Sequence, residues 1–162
     1  MSISFSGSEL VNIAIDIERH GISFYDILAK ATKNAVTRDL FKYLADSERE
    51  HIRIFQGMLA EADMWQMPAT YAQEYTAYLR ALVDRAIFTE EIITSEVATN
   101  ADNYIQALEL AIGAEKDSIL FYNEMKEVTS QRAQVMVNKI ITEEKSHLEK
   151  LSELKKKLTA IL

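Results

Sequence analysis

The sequence predicts an all-α protein: a four-helix bundle of two antiparallel helical hairpins joined by one long, partly helical crossover. The 162 residues include only four glycines and one proline, so turns are few and helices should be long. Apolar residues recur at the three-, four- and seven-residue steps of a helix face, and the two halves of the chain resemble each other. A chain of this length is most simply one domain, 1–162.

The first two helices are predicted from their start signals and periodicity. Ser6 followed three residues later by Glu9 is typical of a capping box, and the apolar stripe that follows should fade near 32–34. A second helix is expected over about 37–61. Only a few residues connect the two predicted helices, and helices joined by a short connection pack antiparallel.

The crossover is the least regular part of the chain. Residues 64–100 contain the only proline and the only tryptophan, with a helical stretch over 71–97 and a break at 98–103. Two further helices are expected over about 102–128 and 130–158. A connection of this length can return along a helix of about 40 Å, so all four long helices can surround one core.

Composition excludes several classes of function. The net charge of −7 argues against a nucleic-acid partner, which would need a basic surface. No apolar run is long enough to cross a bilayer, and the N-terminus lacks the basic flank of a secretory signal, so we expect a cytoplasmic protein. Cysteine is absent, so any metal within the chain must be held by carboxylate and imidazole, which suit iron, manganese or zinc.

The residues that could bind a metal recur as a duplicated pattern. Each half carries a lone glutamate followed, 30 residues later in the first half and 29 in the second, by a Glu-x-x-His pair. The six residues are Glu18, Glu48, His51, Glu115, Glu144 and His147. Residues equally far from the turn of an antiparallel hairpin lie at one height, so each hairpin should bring its lone glutamate level with its Glu-x-x-His pair.

The four glutamates of this pattern lie within the apolar faces of their helices, and carboxylates in such positions favour a metal site. A single Glu-x-x-His pair is more often a surface pair. Four ionised carboxylates converging on one core would be too costly without positive charge between them, and the neighbouring basic residues Arg19, Arg49, Lys116 and Lys145 fall on other helix faces. Two divalent ions would balance four carboxylates and two neutral imidazoles, as in the di-metal sites of helical bundles.

Other polar residues lie near the six-residue pattern. Tyr25 and Tyr122 each follow a lone glutamate by seven residues, and they are either core residues or candidate catalytic residues near the metals. His20 points off the glutamate face and is expected at the surface. Glu144 keeps the three-residue spacing to its histidine, so it is preferred over Glu143, which is expected to be solvated.

The pattern resembles the rubrerythrin branch of the ferritin-like di-iron superfamily over roughly residues 8–62 and 102–158. The resemblance implies a ferritin-like bundle with two iron ions, each bound by one histidine. It also implies that Glu48 and Glu144 bridge the irons and that Glu18 and Glu115 are terminal ligands. Many rubrerythrins place an extra glutamate one turn beyond the lone glutamate of the third helix, where this chain has Ser118. The resemblance therefore leaves open the redox-linked iron shift of those proteins and the peroxidase activity associated with it.

By this resemblance we expect reduction of hydrogen peroxide or dioxygen at a di-iron centre. The chain lacks the four cysteines of a rubredoxin-like domain, so an external electron donor is implied. Two alternatives are ferrous iron oxidation without peroxidase turnover, and a helical interaction module whose site is empty or holds zinc. The aromatic and methionine side chains of 64–100 are expected to cover the bundle; they could instead form a dimer contact, and a homodimer is the predicted assembly.

Overall fold

The structure, a computed structural model, describes residues 5–65, 72–84 and 104–161. Every element in these ranges is a helix: α1 Gly7–Ala31, α2 Ala35–Ala62, α3 Ala72–Asp84, α4 Tyr104–Lys126 and α5 Gln131–Ile161. The predicted all-α class and the four long helices are confirmed. Helix α3 covers the first part of the stretch predicted over 71–97, and the rest of that stretch and the predicted break at 98–103 lie outside the described residues.

The first hairpin is defined by its caps. At the start of α1 the Glu9 amide donates to the Ser6 hydroxyl, and the Ser6 amide donates to the Glu9 carboxylate, so the predicted capping box is present. Only residues 32–34 separate α1 from α2. The side chain of Asn34 accepts a hydrogen bond from the Thr37 amide at 3.0 Å and caps α2.

The far end of this hairpin is closed by a backbone contact. A Cβ atom at Gly7 would lie 1.7 Å from the carbonyl oxygen of Ala62, so only glycine lets α1 approach the end of α2 this closely. The Ser8 amide also donates to the Asp63 carboxylate at 3.3 Å. Both ends of the α1–α2 pair are therefore fixed, and the register between the two helices is set.

The second hairpin joins the first at the same end. Ser130 caps α5 by accepting a hydrogen bond from the Ala133 amide, and its hydroxyl lies 3.2 Å from a carboxylate oxygen of Glu61 on α2. Helices α1 and α5 therefore start at one end of the bundle, where α2 and α4 finish. The end of α2 and the start of α4 therefore lie at opposite ends of the bundle, which is the arrangement that the predicted crossover requires.

The described part of the crossover lies partly on the bundle. The Tyr75 hydroxyl of α3 donates to the Glu124 carbonyl of α4 at 2.5 Å, and Trp65 packs against the hydrophobic core. Met64 and Tyr78 are exposed instead. The expected covering role is thus seen for some residues, while Met67 and Tyr71 lie outside the described residues. No helix in the described ranges has the length and apolar character needed to cross a membrane.

Hydrophobic side chains form two separate core clusters along the bundle axis. The proximal cluster, near the start of α1, includes Leu10, Phe55, Phe121 and Ile140. The distal cluster includes Phe24, Phe41, Leu108 and Leu151. On each long helix one stretch belongs to the first cluster and another to the second, so the residues between those stretches lie in a layer near the middle of the bundle.

Candidate metal centre

Six titratable side chains occupy the layer between the two core clusters, one lone glutamate or one Glu-x-x-His pair from each long helix. None is more than 3% exposed. We call this set the polar layer; it consists of Glu18, Glu48, His51, Glu115, Glu144 and His147. The structure thus brings together all six residues that the repeat singled out. His20 is not part of the layer, although it is half-buried rather than at the surface as expected.

The polar layer divides into two overlapping groups, each of which could hold a metal ion. Within each group, one ligand atom per residue lies within 4.8 Å of all the others. The first group is Glu18, Glu48, His51 and Glu144, and the second is Glu48, Glu115, Glu144 and His147. Glu48 and Glu144 belong to both groups, which is the arrangement expected of bridging carboxylates.

The two shared glutamates each direct one oxygen toward each histidine. His51 Nδ1 lies 2.9 Å from Glu48 Oε2 and 3.0 Å from Glu144 Oε1. His147 Nδ1 lies 3.3 Å from Glu48 Oε1 and 3.3 Å from Glu144 Oε2. The imidazole rings are roughly parallel, with centroids 5.9 Å apart. Both Nδ1 atoms therefore face one central space, with a carboxylate oxygen from each shared glutamate beside each of them.

The lone glutamates lie at the outer sides of this space. Glu18 Oε1 is 3.5 Å from His51 Nδ1, and Glu115 Oε1 is 3.7 Å from His147 Nδ1. Each lone glutamate thus accompanies the histidine of its own hairpin. Such placement suits a terminal ligand, which contacts one metal position rather than two.

Tyr25 and Tyr122 are hydrogen-bonded to these lone glutamates. Tyr25 on α1 donates to Glu115 Oε1 at 2.5 Å, and Tyr122 on α4 donates to Glu18 Oε1. Both tyrosines are fully buried, and each reaches across to the other hairpin. Of the two roles left open by the sequence, the structure gives both tyrosines a position beside the candidate ligands as well as a place in the core.

The Nε2 atom of each histidine, on the side of the ring away from the central space, contacts a residue of the other hairpin. His51 Nε2 lies 2.7 Å from Glu143 Oε2, and His147 Nε2 lies 3.0 Å from Ser47 Oγ. Glu143 is therefore hydrogen-bonded to a candidate ligand rather than simply solvated as expected. The sequence did offer a signal for both partners, since each of them directly precedes the glutamate of a Glu-x-x-His pair.

Burial and mutual repulsion shift the pKa values of the carboxyl groups. Burial, together with the nearby Glu18 and Glu115 charges, raises the pKa of Glu48 to about 8. Burial likewise raises the pKa of Glu115 well above its usual range, with Glu144 adding to the effect. For Glu18 burial acts in the same direction, but hydrogen bonds from its neighbours outweigh it and hold its pKa below 4.5.

For the two histidines, burial and the nearby carboxylates shift the pKa in opposite directions. Burial lowers the pKa of each imidazole, but the carboxylates around it outweigh burial. The nearby carboxylates of Glu115, Glu144 and Glu48 raise the pKa of His147 to about 12. The pKa of His51 lies even further above 6.5. The four carboxylates thus draw positive charge into the layer, supplied by protons when no other cation is bound.

The residues present fit a pair of divalent metal ions. In the part of the chain that the structure describes, His147 Nδ1 and Glu144 Oε1 are buried without a hydrogen-bond partner, although both point into the central space. Buried polar atoms of this kind are costly unless something binds them. Oxygen and imidazole donors suit iron, manganese or zinc, and two divalent ions would neutralise the four carboxylates.

An all-helical bundle with this carboxylate–imidazole layer at its centre defines a class. It is the class of ferritin-like helical proteins, in which a Glu from each of two helices and a Glu-x-x-His pair from each of the other two project inward. Here α1 and α4 supply the lone glutamates, and α2 and α5 supply the pairs.

Comparison with known proteins identifies the family. The Rubrerythrin family model matches residues 9–155, and the chain belongs to the rubrerythrin family. A crystal structure of a Thermotoga maritima protein assigned to the ferritin-like diiron-carboxylate proteins is similar, with a TM-score of 0.72 and 32% sequence identity over 94% of this chain and 96% of that one. No functionally curated protein matches the chain significantly.

Proposed function

We propose that this chain is a carboxylate-bridged di-iron redox protein that reduces hydrogen peroxide or dioxygen with electrons from a separate partner. The observation that carries the proposal is that Glu48 and Glu144 each direct one oxygen toward each of the two histidines. Membership of the rubrerythrin family and the likeness to a diiron-carboxylate protein support it.

In this proposal each of the two groups of the polar layer would hold one iron. Glu48 and Glu144 would serve both positions, with Glu18 and His51 completing the first and Glu115 and His147 completing the second. When bound, two ferrous ions would act as Lewis acids and supply the two electrons that, with two protons, convert one hydrogen peroxide to two waters.

The chain itself positions the ligands and shields them from water. Tyr25 and Tyr122 hold the terminal carboxylates Glu115 and Glu18. Burial and the adjacent negative charges raise the pKa of both tyrosines well above 10, so each phenol keeps its proton and remains a donor. The core clusters on either side exclude solvent, and electrostatic interactions within the layer are stronger as a result.

The electrons that regenerate the ferrous state are proposed to come from another protein or a small reductant. The chain contains no cysteine, so it cannot hold a thiolate-ligated iron centre of its own. The whole chain, 1–162, is proposed to act as one domain, with the external donor as its partner.

Iron loading followed by peroxide addition tests the proposal. Anaerobic protein should bind about two Fe(II) per chain, and peroxide should oxidise them at a rate far above that of free Fe(II). The double variant Glu48→Gln with Glu144→Gln should lose both properties. Glu149→Gln, an exposed change on α5, should behave as the unmodified protein and serves as the matched control.

Turnover with an added reductant separates the possible outcomes. Repeated peroxide or dioxygen consumption supports the redox function, and comparing the two oxidants shows which of them the protein reduces faster. A single round of iron oxidation without turnover would replace the proposal with iron handling. Zinc alone, or no metal after iron-replete expression, would overturn the proposal.

A further inference from the structure

The two histidines of the polar layer are held by different chemical groups at their outer nitrogens. His51 Nε2 lies 2.7 Å from a carboxylate oxygen of Glu143, whereas His147 Nε2 lies 3.0 Å from the hydroxyl of Ser47. Glu143 and Ser47 occupy the same place in the repeat, directly before the glutamate of each Glu-x-x-His pair. The two hairpins thus hold each other's histidines, one by a carboxylate and the other by a hydroxyl.

This difference affects how well each ring can bind a metal at Nδ1. A carboxylate that accepts the Nε2 hydrogen fixes the tautomer with its free lone pair on Nδ1, and it makes that lone pair more basic. A serine hydroxyl is neutral, and it can donate as well as accept. His51 is therefore both better oriented and the stronger donor, although the inner ligands of the two rings are equivalent in type.

The surroundings of Glu143 suit this role. Its side chain is 37% exposed, so it keeps solvent on one side and its charge is far less desolvated than those of the four buried glutamates. Its contact to His51 bridges α5 and α2, and thereby the two hairpins. Ser47 makes the corresponding bridge from α2 to α5.

We propose that Glu143 is a positioning residue that makes the His51 position the tighter of two metal positions, while Ser47 leaves the His147 position weaker. This inference rests on the proposed metal binding. It adds to that proposal an order of filling: the first metal occupies the group of Glu18, Glu48, His51 and Glu144, and the second metal completes the group that contains His147.

Stepwise titration of the metal-free full-length chain with Zn(II) tests the order. Calorimetry with a competing chelator gives the two affinities, and NMR of the imidazole nitrogens shows which ring responds first, with His20 as an internal reference. In the unmodified protein we expect His51 to respond before His147. Glu143→Gln, which keeps the shape but removes the charge, should weaken the first step by about 10- to 100-fold and leave the second step much less affected.

Two further variants provide contrast and control. Ser47→Ala should weaken only the step in which His147 responds, and Glu149→Gln, an exposed glutamate on the same helix, should change neither step. The helical circular dichroism of each metal-free variant shows that the bundle is retained.

The outcomes separate this inference from the proposed function. Two binding steps in which His147 responds first, or in which Glu143→Gln weakens both steps equally or neither, would overturn the inference and leave the metal site standing. No Zn(II) binding at the polar layer of the unmodified protein would overturn both.

Discussion

Tyr122 shows how much a single hydroxyl can matter at the residue scale. It is fully buried, and it joins the second hairpin to Glu18 on the first. A hydrogen bond to a charged group contributes about 1.5–3 kcal/mol, and an unpaired buried partner adds to the loss. Tyr122 is also one of the groups that hold the pKa of Glu18 below 4.5.

We therefore predict that Tyr122→Phe lowers the free energy of unfolding of the metal-free protein by about 2 kcal/mol and raises the pKa of Glu18. Urea denaturation and carboxyl-resolved NMR titration measure the two effects. Tyr43→Phe is the matched control because Tyr43 is 49% exposed, and it should change neither quantity. Equal behaviour of the two variants would show that the Tyr122 contact is unimportant.

Glu48 gives the metal-free protein an unusual dependence on pH. Because its pKa is raised to about 8 in the fold, the folded state binds a proton that the unfolded state releases above about pH 4.5. The raised pKa of His147 acts in the same direction from about pH 6.5 upward. Glu18 acts oppositely, but only below about pH 4.5, where its lowered pKa makes protonation destabilising.

The resulting prediction is that, with chelator present, the free energy of unfolding falls as the pH rises from 5 to 8. Glu48→Gln, which is neutral throughout, should fall less steeply, and Glu149→Gln should follow the unmodified protein. Urea denaturation at several pH values measures the slope. A stability that increases from pH 5 to 8 in the unmodified protein would contradict the argument.

The meeting of the six polar-layer residues was predicted from the sequence through the repeat. The six residues of the polar layer share spacing and apolar neighbours, and spacing alone carried that prediction. The contact of Glu143 with His51 was not predicted. A residue next to Glu144 points about 100° away around the helix. Whether that direction meets water or another helix depends on how α5 packs against α2, which periodicity does not contain.

At the scale of elements, helix starts and ends were predicted to within a few residues because their signals are local. The second helix was expected over 37–61 and is Ala35–Ala62, since Asn34 caps it slightly earlier. The last helix runs to Ile161, three residues beyond the expected end. The close approach of α1 to α2 at Gly7 had no such signal, because it depends on a contact between residues 55 positions apart.

Two glycines offer a matched test of that contact. Gly7→Ala would place a methyl group 1.7 Å from the Ala62 carbonyl oxygen, so the helix ends must separate, and we expect a loss of about 1–3 kcal/mol in stability. Gly57→Ala on α2 meets nothing within 4 Å and should add about 0.5–1 kcal/mol through helix propensity. Thermal or urea denaturation compares the two, and a stable Gly7→Ala variant would contradict the close packing.

At the scale of the whole molecule, the two core clusters are stabilised by apolar burial while the polar layer between them opposes folding. Four buried carboxylates repel one another, and protons on the histidines and on Glu48 relieve this only in part. The relation between the clusters and the layer was predictable from the duplicated pattern. The contact of α3 with α4 was not, because it joins Tyr75 to Glu124, residues 49 positions apart in the chain.

Metal binding is accordingly predicted to stabilise the folded chain. With free metal at 100 times the dissociation constant, one site should add about 2.7 kcal/mol, visible as a higher melting temperature that chelation reverses. In the double variant Glu48→Gln with Glu144→Gln, the metal-free protein should melt above its unmodified counterpart because repulsion is removed. It should also show no response to metal, and a full metal response in that variant would argue against the shared carboxylates.

Each of the two candidate metal-binding groups contains residues of both hairpins. This arrangement bears on how the duplicated chain could have evolved. One hairpin holds three of the six residues, and each group draws at least one ligand from the other hairpin, so a half-length ancestor could build the site only by pairing with its own copy. Such a symmetric pair would carry the same residue before both Glu-x-x-His motifs. Fusion into one chain lets positions 47 and 143 differ, as Ser47 and Glu143 do here, and two identical copies could not differ in this way.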